Sequence, residues 1–296
     1  MTGPTRATLA GRVYLDLQNK ARRERRATDE LLQLYALEGF LARLSASPHA
    51  AKLVLKGGVL LAAFGNRRPT RDIDFAAQQL SDDMDAMLDL VQQVASIDID
   101  DGLIMHGSDA SAEVIRDDEE YPSVRVTLGA ALHQARMRFH IDVNIGDPVW
   151  PAPHAVGVPR LLGGDLIRLS GYPLHMVHAE KIVTAVQRGT ANTRWRDFGD
   201  VWTLSGAHPV EGSDLVRAVT EVANHRRVEP QSLNAVLAGF ADLAQQRYAV
   251  WRTKHRMDDL PHDFADVLAG VTGFADPALS GAAGSKTWDP RGRLWL

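Results

Sequence analysis

The sequence predicts an α/β domain followed by an all-helical one, and three observations carry that prediction. Between residues 53 and 75 an apolar strand, a glycine turn, a compact helix and an alternating strand follow one another. Residues 123–128 and 137–145 add two segments of alternating or β-branched character. Past a cluster of Pro148, Pro151, Pro153, Pro159, Gly157, Gly163 and Gly164, apolar residues recur every three or four positions, the period of a helix.

Taken in order, the chain opens on a polar, arginine-rich stretch, residues 12–27, with Arg22, Arg23, Arg25 and Arg26. Thr28 is suited to cap a helix on which Leu31, Leu34, Leu37, Leu41 and Leu44 share a face. Ser47-Pro48 ends it, because proline disfavours helix at the residue before it. Residues 53–55 form a strand running into Lys56-Gly57-Gly58, and residues 59–64 a helix stopped by Gly65-Asn66. The basic turn Arg67-Arg68-Pro69-Thr70 then leads into a strand over residues 72–75. A helix from residue 81 to about 94 precedes the two later strands. After the proline and glycine cluster come helices over 174–188, 195–204, 213–224 and 233–256. Residues 276–296 read as an irregular tail, in which Trp288 and Trp295 indicate local packing.

Composition narrows the function. The 296 residues are 45% hydrophobic and 24% charged, enough apolar material for a sizeable core. The absence of cysteine excludes disulfide scaffolds, thiolate zinc sites and cysteine nucleophiles. No apolar signal segment opens the chain, and no apolar run reaches the roughly 18 residues of a membrane span, so the expectation is a cytoplasmic protein without a membrane partner. Charge is segregated. Residues 81–120 hold thirteen acids against the single base Arg116, a charge of −12, so an overall −4 leaves +8 on the other 256 residues. The acidic segment fits a solvated face, and the basic remainder allows a polyanion partner.

The feature that carries chemistry is Asp72-Ile73-Asp74. On a strand, residues two apart project to one face, so the two carboxylates stand together while Ile73 enters the core. Such a pair is either solvated or bridged by a cation, and hard oxygen ligands suit Mg²⁺. Asp142, between Ile141 and Val143, is a third acid on a second strand. Three carboxylates on adjacent strands could hold two divalent ions, the arrangement that serves phosphoryl transfer. Thirteen residues separate Gly58 from Asp72, and Gly57-Gly58 lies where a strand meets a helix. Glycine there serves either as a tight turn or as a place where peptide N–H groups and a helix N-terminus approach a phosphate. His175-x-x-His178-x-Glu180 has helical spacing for zinc but no further ligands, and reads as core or surface histidines. Walker A, Rossmann and Gly-x-Ser-x-Gly sequences are absent.

The order Gly57-Gly58, Asp72-Ile73-Asp74, Ile141-Asp142-Val143 resembles the DNA polymerase β-type nucleotidyltransferase superfamily. Residues 53–75, LVLKGGVLLAAFGNRRPTRDIDF, resemble its AbiEii/MenT group, the toxins of type IV toxin–antitoxin systems. Residues 179–202, AEKIVTAVQRGTANTRWRDFGDVW, resemble that group's helical block, a lysine followed by R-D-x-x-D. Helical spacing alone places Lys181 and Arg188 on one face and Asp197 and Asp200 on another, equally compatible with surface ion pairs.

The resemblance implies a nucleotidyltransferase-type α/β fold: a mixed-sheet core with a helix before it (1–155), a C-terminal helical lobe (156–275) and the tail (276–296). It implies transfer of a nucleotidyl group from a nucleoside triphosphate to an acceptor hydroxyl, in a cleft between the lobes. Asp72, Asp74 and Asp142 would hold Mg²⁺ or Mn²⁺. Lys56, Gly57, Gly58, Arg71 and Lys181 would hold the triphosphate, and Asp197 would orient Lys181 or act as a base. It further implies the tRNA 3′ end as acceptor, with Arg22–Arg26, Arg67, Arg68, Arg194 and Arg196 available to RNA phosphates, and a resulting block of translation. A cognate antitoxin, a kinase or a repressor, would be the partner, and Thr70 a site of neutralising phosphorylation flanked by Arg67, Arg68 and Arg71. Two other readings share these residues: an antibiotic-type nucleotidyltransferase using the acidic segment to bind a cationic substrate, and a non-catalytic nucleotide-binding module.

Overall fold

A wholly buried strand at 53–56, beside alternating strands at 72–77 and 135–144, builds the first unit of the fold. In the computed structural model, which describes residues 3–78, 80, 83–115 and 123–296, two compact units are present. The first comprises residues 1–147 and 153–172, the second residues 148–152 and 173–296. The division therefore falls at 147 and 172, on either side of the 155/156 boundary expected from the proline and glycine cluster. That cluster instead flanks a strand of the first unit.

The first unit begins with α1 (Leu9–Glu24) and α2 (Thr28–Ser45). The arginine-rich stretch is helical because Val13, Leu17 and Ala21 recur every four residues and are buried, while Thr8 accepts a hydrogen bond from Gly11 N–H at 3.1 Å. Thr28 is the first residue of α2, and the cap position belongs to Ala27. All six leucines of α2 are buried, and the helix packs on strands of the sheet.

The strands are β1 (Leu53–Lys56), β2 (Asp72–Ala77), β3 (Leu103–Ile115), β4 (Ser123–Leu132), β5 (Ala135–Asn144), β6 (His154–Val158) and β7 (Ile167–Gly171). Among the described residues they form one sheet in the order β3-β4-β5-β2-β1-β7-β6. It is mixed: β2 runs parallel to β5 and β1 to β7, while the other neighbours are antiparallel. Gly57–Leu60 is a single helical turn, α3, continued by a 3-10 turn to Phe64. Met84–Ala95 forms α4, capped by the Asp83 carboxylate, which accepts from Asp85 and Ala86 N–H. Residue 81, where that helix was expected to begin, lies outside the described residues, as do Asp82, Arg116 and the acids of 117–120. The long edge strand β3 was not expected, because its exposed face carries the acids and interrupts the apolar alternation. The acidic stretch is not wholly solvated either. Asp101 is bonded by the buried Arg43 guanidinium at 2.6 and 3.2 Å. β4 and β5 are joined by the two-residue turn His133-Gln134, with His133 at φ 51.

The second unit contains α5 (Leu174–Arg188), α6 (Trp195–Ala207), β8 (Val210–Glu211), α7 (Gly212–His225), α8 (Leu233–Val236), α9 (Phe240–Lys254), α10 (Phe264–Leu279), β9 (Thr287–Asp289) and β10 (Leu294–Trp295). The helix expected over 233–256 is broken at Gly239, whose φ of 74 is left-handed. Residues 276–296 are not an irregular tail. They finish α10 and supply β9 and β10 to a small sheet with β8. Trp288 is buried and donates to Ser205 O at 2.7 Å, while Trp295 stacks on Phe274 and donates to its carbonyl at 3.1 Å. No helix of the described residues is long and apolar enough to cross a membrane.

His178, fully buried on α5 against the Phe274 ring, has no hydrogen-bond partner at either ring nitrogen among the described residues. Burial, reinforced by Lys181, His208 and His175, pushes its pKa down to about 3. The unfolded chain takes up this proton near pH ~6.5. The group's contribution to stability is therefore complete above that pH and is lost as pH falls toward 3, at about 1.4 kcal/mol per pH unit. Denaturant titrations between pH 7 and 4 should show a His178→Leu variant lacking this part of the acid slope. An identical slope in both proteins would contradict the assignment.

Candidate active site

The site of the first unit is built where β1 turns into α3 against β2. Gly57 takes φ +65, and a Cβ there would lie 1.8 Å from Asp74 Oδ2. Only glycine fits, for conformation and for space, and the backbone lies directly on the carboxylate. Gly58 N–H donates to the same oxygen at 3.4 Å. Because α3 is one turn long, the polar contribution comes from these peptide groups and not from the helix dipole expected of a longer element.

Strand register aligns the other polar residues in two rows. Lys56 on β1 stands opposite Asp74 on β2, Asp74 opposite Asp142 on β5, Asp142 opposite Arg125 on β4, and Arg125 opposite Glu113 on β3. Next to it run Asp72, His140, Thr127 and Ser111. Thr127 Oγ1 and His140 Nδ1 are 3.0 Å apart. On the opposite face the intervening Ile73, Phe75, Ile141, Val143, Val124 and Val126 are buried. Period-two alternation thus separates core from site.

The carboxylates differ in their surroundings. Burial pushes the Asp74 carboxyl up; Lys56 opposes this, and the like charges of Asp142 and Asp72 add to it. Asp142 is gripped by Arg125 through two parallel bonds, Nε to Oδ1 at 2.8 Å and Nη2 to Oδ2 at 2.7 Å. Among the described residues no three His, Asp or Glu side chains are already grouped to hold a metal ion. The donor chemistry nonetheless fits a hard divalent cation: carboxylate oxygens on neighbouring strands whose mutual repulsion a cation would relieve.

The remaining expected residues of this unit are placed as follows. Lys56 is buried, pairs with Asp147 and lies 5.7 Å from the Tyr172 ring centroid. Arg71 is exposed. Thr70 donates to Asp72 O at 3.4 Å, and a Cβ on Gly58 would lie 3.0 Å from its hydroxyl. The arginines grouped in sequence are divided in space. Arg67 bonds the Glu38 carboxylate and Pro159 O, Arg26 bonds Glu30, and Arg68 is buried, whereas Arg22, Arg23, Arg25 and Arg196 are exposed. Glu38, on α2, also accepts from Leu161 N–H at 2.9 Å, and so ties Arg67, at the head of the turn before Asp72, to the core.

The second unit gathers the other expected residues. Lys181 on α5 donates to Asp197 Oδ1 and Asp200 Oδ2 on α6, each at 2.9 Å, and Arg194 Nε donates to Asp197 Oδ2 at 2.6 Å. Burial alone would raise the Asp197 carboxyl, but Lys181 and Arg194 override it and hold the group well below the usual carboxylate range. Two cations and two carboxylates form a charge-balanced cluster, buried on its acidic side.

The family model described as nucleotidyl transferase AbiEii toxin, type IV toxin–antitoxin system, matches residues 39–270. The chain belongs to the AbiEii family. It is accordingly a nucleotidyltransferase of a toxin family, with a nucleoside triphosphate as substrate and a cognate antitoxin as partner. A solved structure from H. pylori, described as a candidate nucleotidyltransferase, aligns with TM-score 0.50 and 15% identity over 86% of this chain and 98% of its own. That likeness shows the shared fold. JHP933 from Helicobacter pylori aligns with TM-score 0.37 and 13% identity over 79% of this chain and 98% of its own. No curated protein matches the chain.

Sequence reasoning did not single out Arg125, Asp147 or Glu38. Only Arg125 left a signal, as a lone base between Val124 and Val126 on an alternating strand.

Two outcomes follow from the packing. Gly57→Ala should cost about 1–2 kcal/mol from its backbone conformation alone and displace the Asp74 carboxylate. A lowered denaturation midpoint together with lost activity is expected, and wild-type values for both would contradict the contact. Lys181→Ala leaves Asp197 and Asp200 buried without their shared cation, so denaturant titration should show a loss of about 3–5 kcal/mol. A midpoint unchanged from wild type would mean that the lysine is dispensable to the α5–α6 packing.

Proposed function

We propose that this AbiEii-family enzyme transfers a nucleotidyl group from a nucleoside triphosphate to the 3′-terminal hydroxyl of tRNA, and thereby blocks translation. The acceptor oxygen forms a bond to the α-phosphorus as the bond to the bridging oxygen breaks. Pyrophosphate leaves, and the hydroxyl proton is released. Asp72, Asp74 and Asp142 would hold Mg²⁺, which when bound neutralises charge developing on the phosphate oxygens. Gly57 and Gly58 bring peptide N–H groups to the carboxylate edge where the phosphates would lie. Lys56, fixed by Asp147, adds positive charge beside them, and exposed Arg71 is available to the nucleotide. In the second unit, Lys181 would supply a cation for triphosphate, with Asp197 holding its ammonium group. Arg22, Arg23, Arg25 and Arg196 remain available to RNA phosphates. The observation that carries the reading is the direct contact of the Gly57 backbone with Asp74, because it joins a phosphate-type turn to the acidic strand.

Incubation with total tRNA, Mg²⁺ and each labelled nucleoside triphosphate tests the proposal. Label should enter tRNA from at least one nucleotide, less efficiently as salt is raised, and Asp72→Ala or Asp74→Ala should lower the rate at least ~10²–10³-fold. Labelling of a small cationic alcohol in place of tRNA would favour an antibiotic-type activity.

Control by the antitoxin would act at Thr70, whose hydroxyl lies between Gly58 and the backbone of Asp72. A phosphate there brings about −1.5 to −2 charge beside the carboxylates, repelling triphosphate. Arg67 is committed to Glu38, whereas the Arg68 guanidinium lies beside the same point of Gly58 as the Thr70 hydroxyl and Arg71 is exposed, so these two could pair with the phosphate. Coexpression with the antitoxin should yield toxin phosphorylated at Thr70 by mass spectrometry. A neutralised toxin with unmodified Thr70 would point to inhibition by direct binding.

A further inference from the structure

We infer that Arg125 is a positioning residue that competes with the divalent ion for Asp142 and so sets the metal affinity of the free enzyme. The inference rests on the reading that Asp72, Asp74 and Asp142 form the metal-holding set. Its basis is the geometry of one side chain. Arg125 stands opposite Asp142 on β4 and binds it end to end, one guanidinium nitrogen to each carboxylate oxygen, at 2.8 and 2.7 Å. A fork of this kind takes one favourable lone pair of each oxygen and holds the carboxylate plane fixed. The pair is also protected: Asp142 is 8% exposed, so little water competes with Arg125 for it.

Charge leads to the same conclusion. Arg125 sets a positive charge against the Asp142 carboxylate, and that charge opposes a cation bound there. On its other side Arg125 faces Glu113 in the register, so an acidic residue stands ready to keep the guanidinium when Asp142 is drawn away. Asp74, by contrast, receives the Gly57–Gly58 backbone and has Asp142 as its neighbour in the register. An ion placed between Asp74 and Asp142 would share the Asp142 oxygens with Arg125 and meet its positive charge.

The test is Mn²⁺ binding to the full-length protein without nucleotide, read from the electron paramagnetic resonance signal of free Mn²⁺. Arg125→Met should bind Mn²⁺ at least ~10-fold more tightly than wild type, since it removes both a competing donor and a positive charge near the ion. A purely structural role predicts the opposite sign, because a disordered Asp142 would bind metal less well. In Arg125→Met/Asp142→Asn the gain should vanish, leaving the affinity of Asp142→Asn alone. Should Arg125→Met fail to fold, Arg125→Lys takes its place: it keeps the charge but cannot grip both oxygens, and a smaller tightening is expected. Unchanged or weaker Mn²⁺ binding in the folded variant overturns the inference. Failure of wild type and every variant to bind Mn²⁺ would overturn the metal-site reading itself. Loss of binding in Asp72→Asn with no effect of Arg125→Met would reject the role of Arg125 alone.

Discussion

The first unit depends on the alignment of unlike and like charges across five neighbouring strands. Lys56, Asp74, Asp142, Arg125 and Glu113 stand side by side at one register level, cation, anion, anion, cation, anion. Each of the three anions is next to a cation, but Asp74 and Asp142 also face one another. Their repulsion is contained by groups on either flank, the Gly58 N–H and Lys56 on one side and the Arg125 fork on the other. A sheet tolerates such a row because the same strands bury Ile73, Ile141 and Val126 on the reverse face. Hydrophobic burial holds the backbone in place while the polar face stays electrostatically tense.

Buried ion pairs recur where one segment of a unit is fixed to another. Glu38 inside α2 secures Arg67 at the start of the turn that carries Thr70, Arg71 and Asp72, and Arg43 secures Asp101 at the start of β3. In the second unit Lys181 joins α5 to α6 through two carboxylates. Such pairs give up much of their Coulomb energy to desolvation, so they add more to geometry than to net stability. That suits an enzyme whose contribution to phosphoryl transfer is mainly positioning.

How much of this was legible in the sequence follows the range of the interactions. Asp72, Asp74 and the core position of Ile73 could be read from strand alternation alone, and Gly57-Gly58 from the turn it marks. In the second unit α5, α6, α7 and α9 followed from apolar periodicity, with Gly239 dividing α8 from α9, whereas α10 was not read from it. Arg125 could not be read as a partner of Asp142, because the pairing depends on the register of β4 against β5. That register is set at His133-Gln134, where His133 adopts a conformation that glycine or asparagine usually signals. Lys56 and Arg67 read as free cations because Asp147 and Glu38, 91 and 29 residues away, are brought to them only by the fold. The helix α1 was hidden by its arginines, and the strands β9 and β10 by their brevity.

The two-residue connection between β4 and β5 has a consequence beyond local structure. Because side chains alternate, it acts as the zero mark of a vernier: every residue of β5 is dealt to core or site by its distance from that turn. One residue added there would slide β5 against β4 by one position, presenting Ile141 or Val143 where Asp142 stands and burying an acid among Phe75, Val124 and Val126. The chemistry of the site is thus encoded in the length of a loop remote from it as much as in its acids. The number of residues in that turn, more than their identity, fixes which side chains of β5 stand on the site face.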